Sequence, residues 1–251
     1  MSISVTMIDS AGGDLSVVNA ARVSFDKESV YENNEVFRTN KGWMQWDETK
    51  GIATLVEDQD VELILHNQDV KLINYLARHK HMTPFRHNFI QLRCSVPLFL
   101  ARQLMKHQAG LTWNEVSRRY VDDTPEFYYP EEWRSRPEGS VKQGSGEVVS
   151  REHQDLFTAL YSDAVDECLR VYHGMIDTGI APEMARMVLP QSMMVDFIWS
   201  GNLLAFHHVW SLRNGDGAQK EAQIFADLLF QAIRPVFPVS WKALTNNVLY
   251  T

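Results

Sequence analysis

From Arg151 to Asp177, apolar and small side chains return at a four-residue step: Leu156, Leu160, Ala164, Cys168, Tyr172 and Ile176. They repeat with helical spacing, and the segment reads as one long helix. Gly179 ends this helix, and Pro182 opens a short one that Pro190 stops. The flanking elements are of both kinds. Residues 1–9 read as an edge strand, and Asp14 to Val23 as a helix carrying Leu15, Val17, Val18 and Ala21 on one side. A helix over 69–79 carries Val70, Leu72, Ile73, Tyr75 and Leu76, and Thr83-Pro84 breaks it. Phe89 to Val96 alternates as a strand does. Pro97 then suits the first turn of a helix running to about His107. Residues 193–199 read as a buried strand, and helices follow over about 202–212 and 218–233.

No repeat and no boundary divides the chain. The pattern predicts one α+β domain over residues 1–251, rich in helix, with a small central antiparallel or mixed sheet. Two insertions interrupt it. Residues 26–67 are polar and irregular, with an acidic cluster over 57–62, and read as a solvated surface insertion. Residues 134–150 hold Pro137, Gly139, Gly144, Gly146 and several serines, and read as a mobile loop.

Composition excludes several classes. Hydrophobic residues at 45% and charged residues at 22% rule out a largely disordered chain. No apolar run approaches the roughly 18 residues that span a bilayer. The start, Met1 to Asp9, has neither the basic nor the apolar region of a secretory signal, so a cytoplasmic protein with no membrane partner is expected. A net charge of −8 disfavours a general nucleic-acid binder. It leaves room for an anionic small ligand held by clustered arginines. The two cysteines, Cys94 and Cys168, form no CxxC and sit in apolar surroundings, which makes them core side chains.

The chemistry concentrates between Ala101 and Tyr120. Helical spacing pairs Arg102 with Lys106 and Gln103 with His107, giving a donor-rich edge. Ala109-Gly110 lets the chain turn away from it. Asn114, Glu115, Ser117, Arg118 and Arg119 then follow within six positions. Arginines and a hydroxyl suit a phosphate, and a carboxylate and an amide suit a ring edge. The alternative is a charged helix end with a polar loop. His79, His81 and His87 lie close together, but no Asp or Glu accompanies them, so no metal is expected. Arg186 is the one cation on a short apolar helix. Arg213 closes the helix that begins near Asn202, where it would also complement the helix dipole.

These segments, in this order, resemble the flavin-dependent thymidylate synthases. Gly13-Asp14-Leu15-Ser16 with Ala20-Ala21-Arg22-Val23-Ser24-Phe25 is similar to that family's N-terminal segment. His81-x-Thr83-Pro84-Phe85-x-His87 matches the next block. Arg102-Gln103, His107 and Asn114-Glu115-x-Ser117-x-Arg119-Tyr120 match its signature region. Ala185-Arg186-x-Val188-Leu189-Pro190 and Leu212-Arg213, with Ala218-Gln219, match the C-terminal blocks. There are departures. The family's Arg-His-Arg is Lys106-His107-Gln108 here, with eight residues instead of seven before Ser117. Arg86 stands at an acidic position, Leu204 at a cationic one and His208 at an Asn.

The resemblance implies conversion of dUMP to dTMP, with methylenetetrahydrofolate as one-carbon donor and NADPH as reductant of FAD. It also implies a homotetramer with shared active sites. It assigns Ser24, Thr83, Lys106, His107, Gln108, Glu115, Asn202, Leu204 and His208 to FAD. To dUMP it assigns Gln103, Lys106, Glu115, Ser117, Arg118, Arg119, Arg186 and Arg213. Arg213 would sit at the uracil ring and act catalytically by favouring its ionised form. The residues are compatible with this. No side chain stores a hydride, no GxGxxG marks a Rossmann site, and neither cysteine sits among polar catalytic neighbours. Two rivals remain: a metal-dependent nucleotide hydrolase using the histidine-rich turn, and a nucleotide-binding module without turnover.

Overall fold

The computed structural model describes residues 2–32, 64–139 and 144–247, together with the backbone of three strands between them. In chain order the elements are β1 (Ser4–Ala11), α1 (Asp14–Arg22), β2 (Val36–Thr39), β3 (Gly42–Asp47), β4 (Ile52–Val56), α2 (Asn67–Arg78), β5 (Phe89–Pro97), α3 (Leu98–Leu104) and β6 (Leu111–Glu115). They continue with α4 (Arg151–Asp177), α5 (Pro182–Ala185), β7 (Met194–Gly201), α6 (Leu203–Arg213), α7 (Lys220–Ile233) and α8 (Pro238–Asn247). The architecture is α+β and helix-rich, as expected. The elements form two compact units, one of Met1–Ser10 and Ile90–Pro235, the other of Ala11–Phe89 and Val236–Leu249.

The first unit is built on a four-stranded sheet of order β1-β5-β7-β6, with β1 at an edge. Strand β7 is central and pairs antiparallel with β5, from Ile90↔Gly201 to Pro97↔Met194, and with β6, from Leu111↔Gly201 to Glu115↔Phe197. Along β5, Ile90, Leu92, Cys94 and Val96 are buried while Gln91, Arg93 and Ser95 are not. That is the two-residue period of a strand with one face on a core. Trp199 of β7 is fully buried; its ring lies 5.4 Å from Phe206 of α6 and 6.1 Å from Phe225 of α7. These contacts bring α6 and α7 over the sheet. A side chain of that size, once truncated, typically costs about 3–5 kcal/mol.

In the second unit, β2, β3 and β4 form an antiparallel sheet in which Trp43 pairs with both Arg38 and Val56. Helices α1, α2 and α8 pack together. Two carboxylates organise them. Asp14 is buried and accepts the backbone N–H groups of Val239 and Ser240, each at 2.8 Å. It thereby satisfies two of the donors that a helix start leaves orphaned, at the beginning of α8. Burial raises its pKa even though these hydrogen bonds pull the other way. Asp69 is wholly buried on α2 and pairs with Arg22 at the end of α1, and Ser29 Oγ donates to the same oxygen at 3.1 Å.

Several expectations change. Residues 26–67 are not irregular throughout, since three strands cross that segment. Their short runs, Val36-Phe37, Trp43-Met44 and Ile52 to Val56, are β-branched and aromatic at the points where strands favour them. The acidic cluster over 57–62 lies outside the described residues. Helix α3 stops at Leu104, before Lys106 and His107. The periodic face of α4 is only partly covered within the first unit. Tyr172 and Val165 are buried, but Leu156, Phe157 and Leu160 remain 49%, 48% and 51% exposed. The segment at 134–150 is pinned at its flanks by an antiparallel bridge between Arg134 and Val148; residues 140–143 lie outside the described set. Helix α8 was not anticipated.

Candidate active site

The site of the first unit begins where α3 ends. The N–H of His107 reaches the carbonyl of Leu104 at 3.0 Å, so the last turn tightens rather than continuing as α-helix. Gln103 and His107 are therefore not stacked four apart on a helix. Gly110 then takes φ +75°, a left-handed conformation that costs a side chain energy. A Cβ there would lie 2.8 Å from Asn202 Nδ2. The chain turns into β6 at this point of close approach. Asn202 caps α6, its Oδ1 accepting the N–H of Ala205 at 3.0 Å. Its Nδ2 is thus directed away from the helix.

Helix α6 places His208 and Arg213 beside the same turn. Arg213 Nε donates to His107 Nε2 at 3.1 Å, and the rings of His107 and His208 are 6.0 Å apart. Burial, the Arg213 charge and His208 together push His107 down to about 4. The imidazole is neutral at neutral pH, with Nε2 as acceptor and the proton on Nδ1. Burial also draws the Arg213 pKa below that of an ordinary arginine, yet the group stays protonated. With Nε committed to His107, the two Nη groups are what Arg213 can offer a ligand. Arg213 lines a cavity of about 510 Å³ with Gln103, Gly144, Leu212, Gly215, Gly217, Ala218 and Gln219.

Most of the other sequence-predicted residues fall elsewhere. Ser117, Arg119 and Arg186 gather near Glu183. Ser117 Oγ accepts the N–H of Arg119, Arg119 pairs with Glu183 at 3.5 Å, and Arg186 Nε donates to the carbonyl of Glu183. Arg118 pairs with Asp123 and lines a different cavity with Thr124, Glu126 and Asp196. Glu115 is exposed on β6 and accepts from Trp113 Nε1 at 3.0 Å, while the Trp113 ring stacks on Phe197 at 3.5 Å. Lys106 and Gln108 are exposed on the turn. Leu204 is buried and apolar, and supplies no polar contact. Ser24 and Thr83 are exposed on short 3₁₀ turns of the second unit. Among the described residues no three His, Cys, Asp or Glu converge as metal ligands. Cys94 is buried, and burial raises its thiol pKa far above the usual value, so it stays a thiol.

Sequence reasoning did not reach Glu221, which is buried on α7 beside Gln219. A signal was present: Glu221 lies on the apolar stripe of Ala222, Phe225, Ala226 and Leu229, and an acid on such a stripe needs partners.

The family model for the thymidylate synthase complementing protein matches residues 6–239. The chain belongs to that family. A flavin-dependent thymidylate synthase of Thermus thermophilus is 29% identical over 245 residues, 98% of this chain and 76% of the relative. One of Thermosipho melanesiensis is 31% identical over 238 residues, 94% of this chain and 88% of the relative. The crystal structure of a UMP/dUMP methylase from Streptomyces cacaoi, bound with 5-Br UMP, superposes with a TM-score of 0.75 at 27% identity. It covers 98% of this chain and 95% of that one. The fold and the ordered motifs therefore agree with membership of the thymidylate synthase complementing protein family, and the chain is an enzyme of the flavin-dependent thymidylate synthase kind.

Proposed function

We propose that this enzyme methylates dUMP to dTMP, using FAD, with methylenetetrahydrofolate as one-carbon donor and NADPH as reductant. The observation that carries the reading is the pairing of a neutral His107 with Arg213, which lines a cavity together with Gln103. This fixes a cation by one nitrogen and leaves its two Nη groups for an anionic or polarised ring. Converting a methylene to a methyl takes a hydride that no side chain stores, and reduced FAD supplies it.

The residues fit FAD. The Lys106 ammonium, the Gln108 amide, the Nδ2 of Asn202 and the Nδ1–H of His107 form a donor-rich set on and beside one turn, suited to phosphate oxygens and a polar ring edge. The resemblance assigns His208, Glu115, Leu204, Ser24 and Thr83 to FAD as well. For dUMP, Arg213 stabilises negative charge as it develops on the pyrimidine. Gln103 meets the nucleotide from the same cavity. Ser117, Arg118, Arg119 and Arg186 hold the phosphate, with Lys106 and Glu115 beside it. Ser117 is a ligand and not a nucleophile, because no histidine base contacts it among the described residues.

Within one chain Arg213 and Gln103 line one cavity, whereas Arg118 lines another. A homotetramer that shares its sites between subunits reconciles them. The half-exposed Leu156, Phe157 and Leu160 of α4 offer an apolar face for such an assembly. Among the described residues no helix is long and apolar enough to cross a membrane, and we place the enzyme in the cytoplasm.

The test is a spectrum. The purified protein, supplied with FAD, should be yellow; anaerobic NADPH should bleach it; and addition of dUMP with methylenetetrahydrofolate should yield dTMP. Protein that retains no flavin at saturating FAD refutes the reading. A colourless, divalent-ion-dependent hydrolase would favour the metal alternative.

A further inference from the structure

Five polar side chains of the first unit form a chain that ends on Gln103. Glu221, 3% exposed on α7, accepts Arg134 Nη2 at 2.7 Å on one oxygen and Gln219 Nε2 at 2.9 Å on the other. Gln219 Oε1 in turn accepts Gln103 Nε2 at 2.6 Å. Arg134 is itself held by Ser145, whose Oγ accepts its Nε at 2.9 Å.

We propose that Glu221 and Gln219 are positioning residues that fix the sense of the Gln103 amide, so that Gln103 turns its carbonyl oxygen to a hydrogen-bond donor of the nucleotide. The inference rests on the reading that Gln103 meets dUMP. An ionised carboxylate can only accept, so Gln219 must point its NH₂ at Glu221 and its carbonyl oxygen at Gln103. Gln103 must then spend one N–H on that oxygen. What remains for a ligand is Oε1 and the second N–H. A phosphate presents acceptors and would meet the Gln103 oxygen unfavourably. In the bound ground state a pyrimidine N3–H that has not yet ionised, or a sugar hydroxyl, presents the donor that this oxygen needs.

The carboxylate remains ionised in the site. Burial works to raise the Glu221 pKa, but the Arg134 hydrogen bond and charge, its own backbone N–H and the Gln219 amide together hold it below the usual value. Removing a single link therefore lets the amides downstream rotate. Buried polar networks of this kind act as units rather than as sums of pairs.

The experiment measures dUMP binding by calorimetry to the FAD-loaded protein, for wild type, Gln103→Met, Gln219→Met and the double variant. Gln219→Met removes the link and one donor to Glu221 but leaves the buried Arg134–Glu221 ion pair in place. Gln103→Met should weaken binding roughly 5- to 10-fold, the loss of one hydrogen bond. Gln219→Met should weaken it several-fold, and the double variant should bind no worse than Gln103→Met alone, because Gln219 acts through Gln103. The same series with N3-methyl-dUMP and with the 3′-deoxy analogue identifies the donor: the analogue that lacks it should no longer distinguish Gln103→Met from wild type. Penalties that multiply in the double variant, a Gln219→Met protein that binds as wild type, or an unchanged Gln103→Met penalty with both analogues would each overturn the proposal. Wild-type protein that does not bind dUMP at all would instead refute the nucleotide reading on which it rests, and the proposal with it.

Discussion

Gly110 lies where the fold meets the proposed cofactor set, and its replacement by alanine has a calculable cost. The residue adopts φ +75°. An alanine in the left-handed region costs about 1–2 kcal/mol, less about 0.4–1 kcal/mol recovered from a stiffer unfolded chain. The new Cβ would also lie 2.8 Å from Asn202 Nδ2 and 3.3 Å from the Cβ of Ala205. Asn202 must swing aside, and it caps α6. Loss of such a cap typically costs about 1 kcal/mol, and an off-rotamer side chain about as much again. The sum for Gly110→Ala is about 2–3 kcal/mol. Gly179 has nearly the same backbone, φ +83°, with nothing within 4 Å of a built Cβ. Gly179→Ala should therefore lose only about 1 kcal/mol. Urea denaturation of both variants at one protein concentration, with unchanged slope, measures the difference. Gly110→Ala should also retain less FAD, through the displaced Asn202. Equal destabilisation of the two variants would refute the steric argument, and normal FAD retention in a folded Gly110→Ala would refute the cofactor role of Asn202.

Arg213→Ala should keep the fold and most FAD yet form dTMP roughly 100- to 1,000-fold more slowly, the usual effect of removing a preorganised electrostatic donor. Arg213→Lys should also be poor, because an ammonium cannot both hold His107 and offer a planar two-donor edge; near-normal dTMP formation by the alanine variant counts against the assignment. Cys94→Ala and Cys168→Ala should each still make dTMP once flavin-loaded, and a folded, inactive Cys94 variant would bring back a cysteine nucleophile. His207 is fully buried and pushed down from 6.5 to about 3 by burial first and by His208 second. As pH falls through that window the unfolded chain protonates before the folded one, so stability falls with it and rises with pH. At about 1.4 kcal/mol per unit the effect reaches several kcal/mol. His207→Leu should flatten the dependence of the denaturation midpoint on pH, and an unchanged slope would show that His207 does not carry it.

How much of this was legible depends on where the information resides. The strands β5 and β7 and the helices α4, α6 and α7 were readable because burial on one face imposes a period on the sequence itself. The sheet of β2 to β4 was not. Its strands are four to six residues long and carry Arg38, Gln45 and Asp47 among the apolar side chains, too few positions for alternation to stand out from polar loop composition. The end of α3 escaped for a different reason. Nothing in Leu104 to His107 disfavours helix; the helix stops because Gly110 must pass close to Asn202, more than ninety positions away in the chain.

The site shows the same division more sharply. Arg213, His107 and Gln103 stood out by residue type and by motif, but their roles come from pairs that no local spacing encodes. Gln103 and Gln219 are separated by 116 positions, Arg134 and Glu221 by 87, and His107 and Arg213 by 106. A carboxylate buried on an apolar stripe is the one link with a sequence signature, because a charge there is tolerable only when satisfied. Once Glu221 is taken as ionised and acceptor-only, the donor and acceptor sense of Gln219 and then of Gln103 follows without further information. At Arg213, which lines the same cavity, a neutral His107 fixes which nitrogens are left. The polarity offered to the proposed ligand is thus set by two residues that need never touch it in the same way: an acid that cannot donate and a histidine that does not protonate at neutral pH.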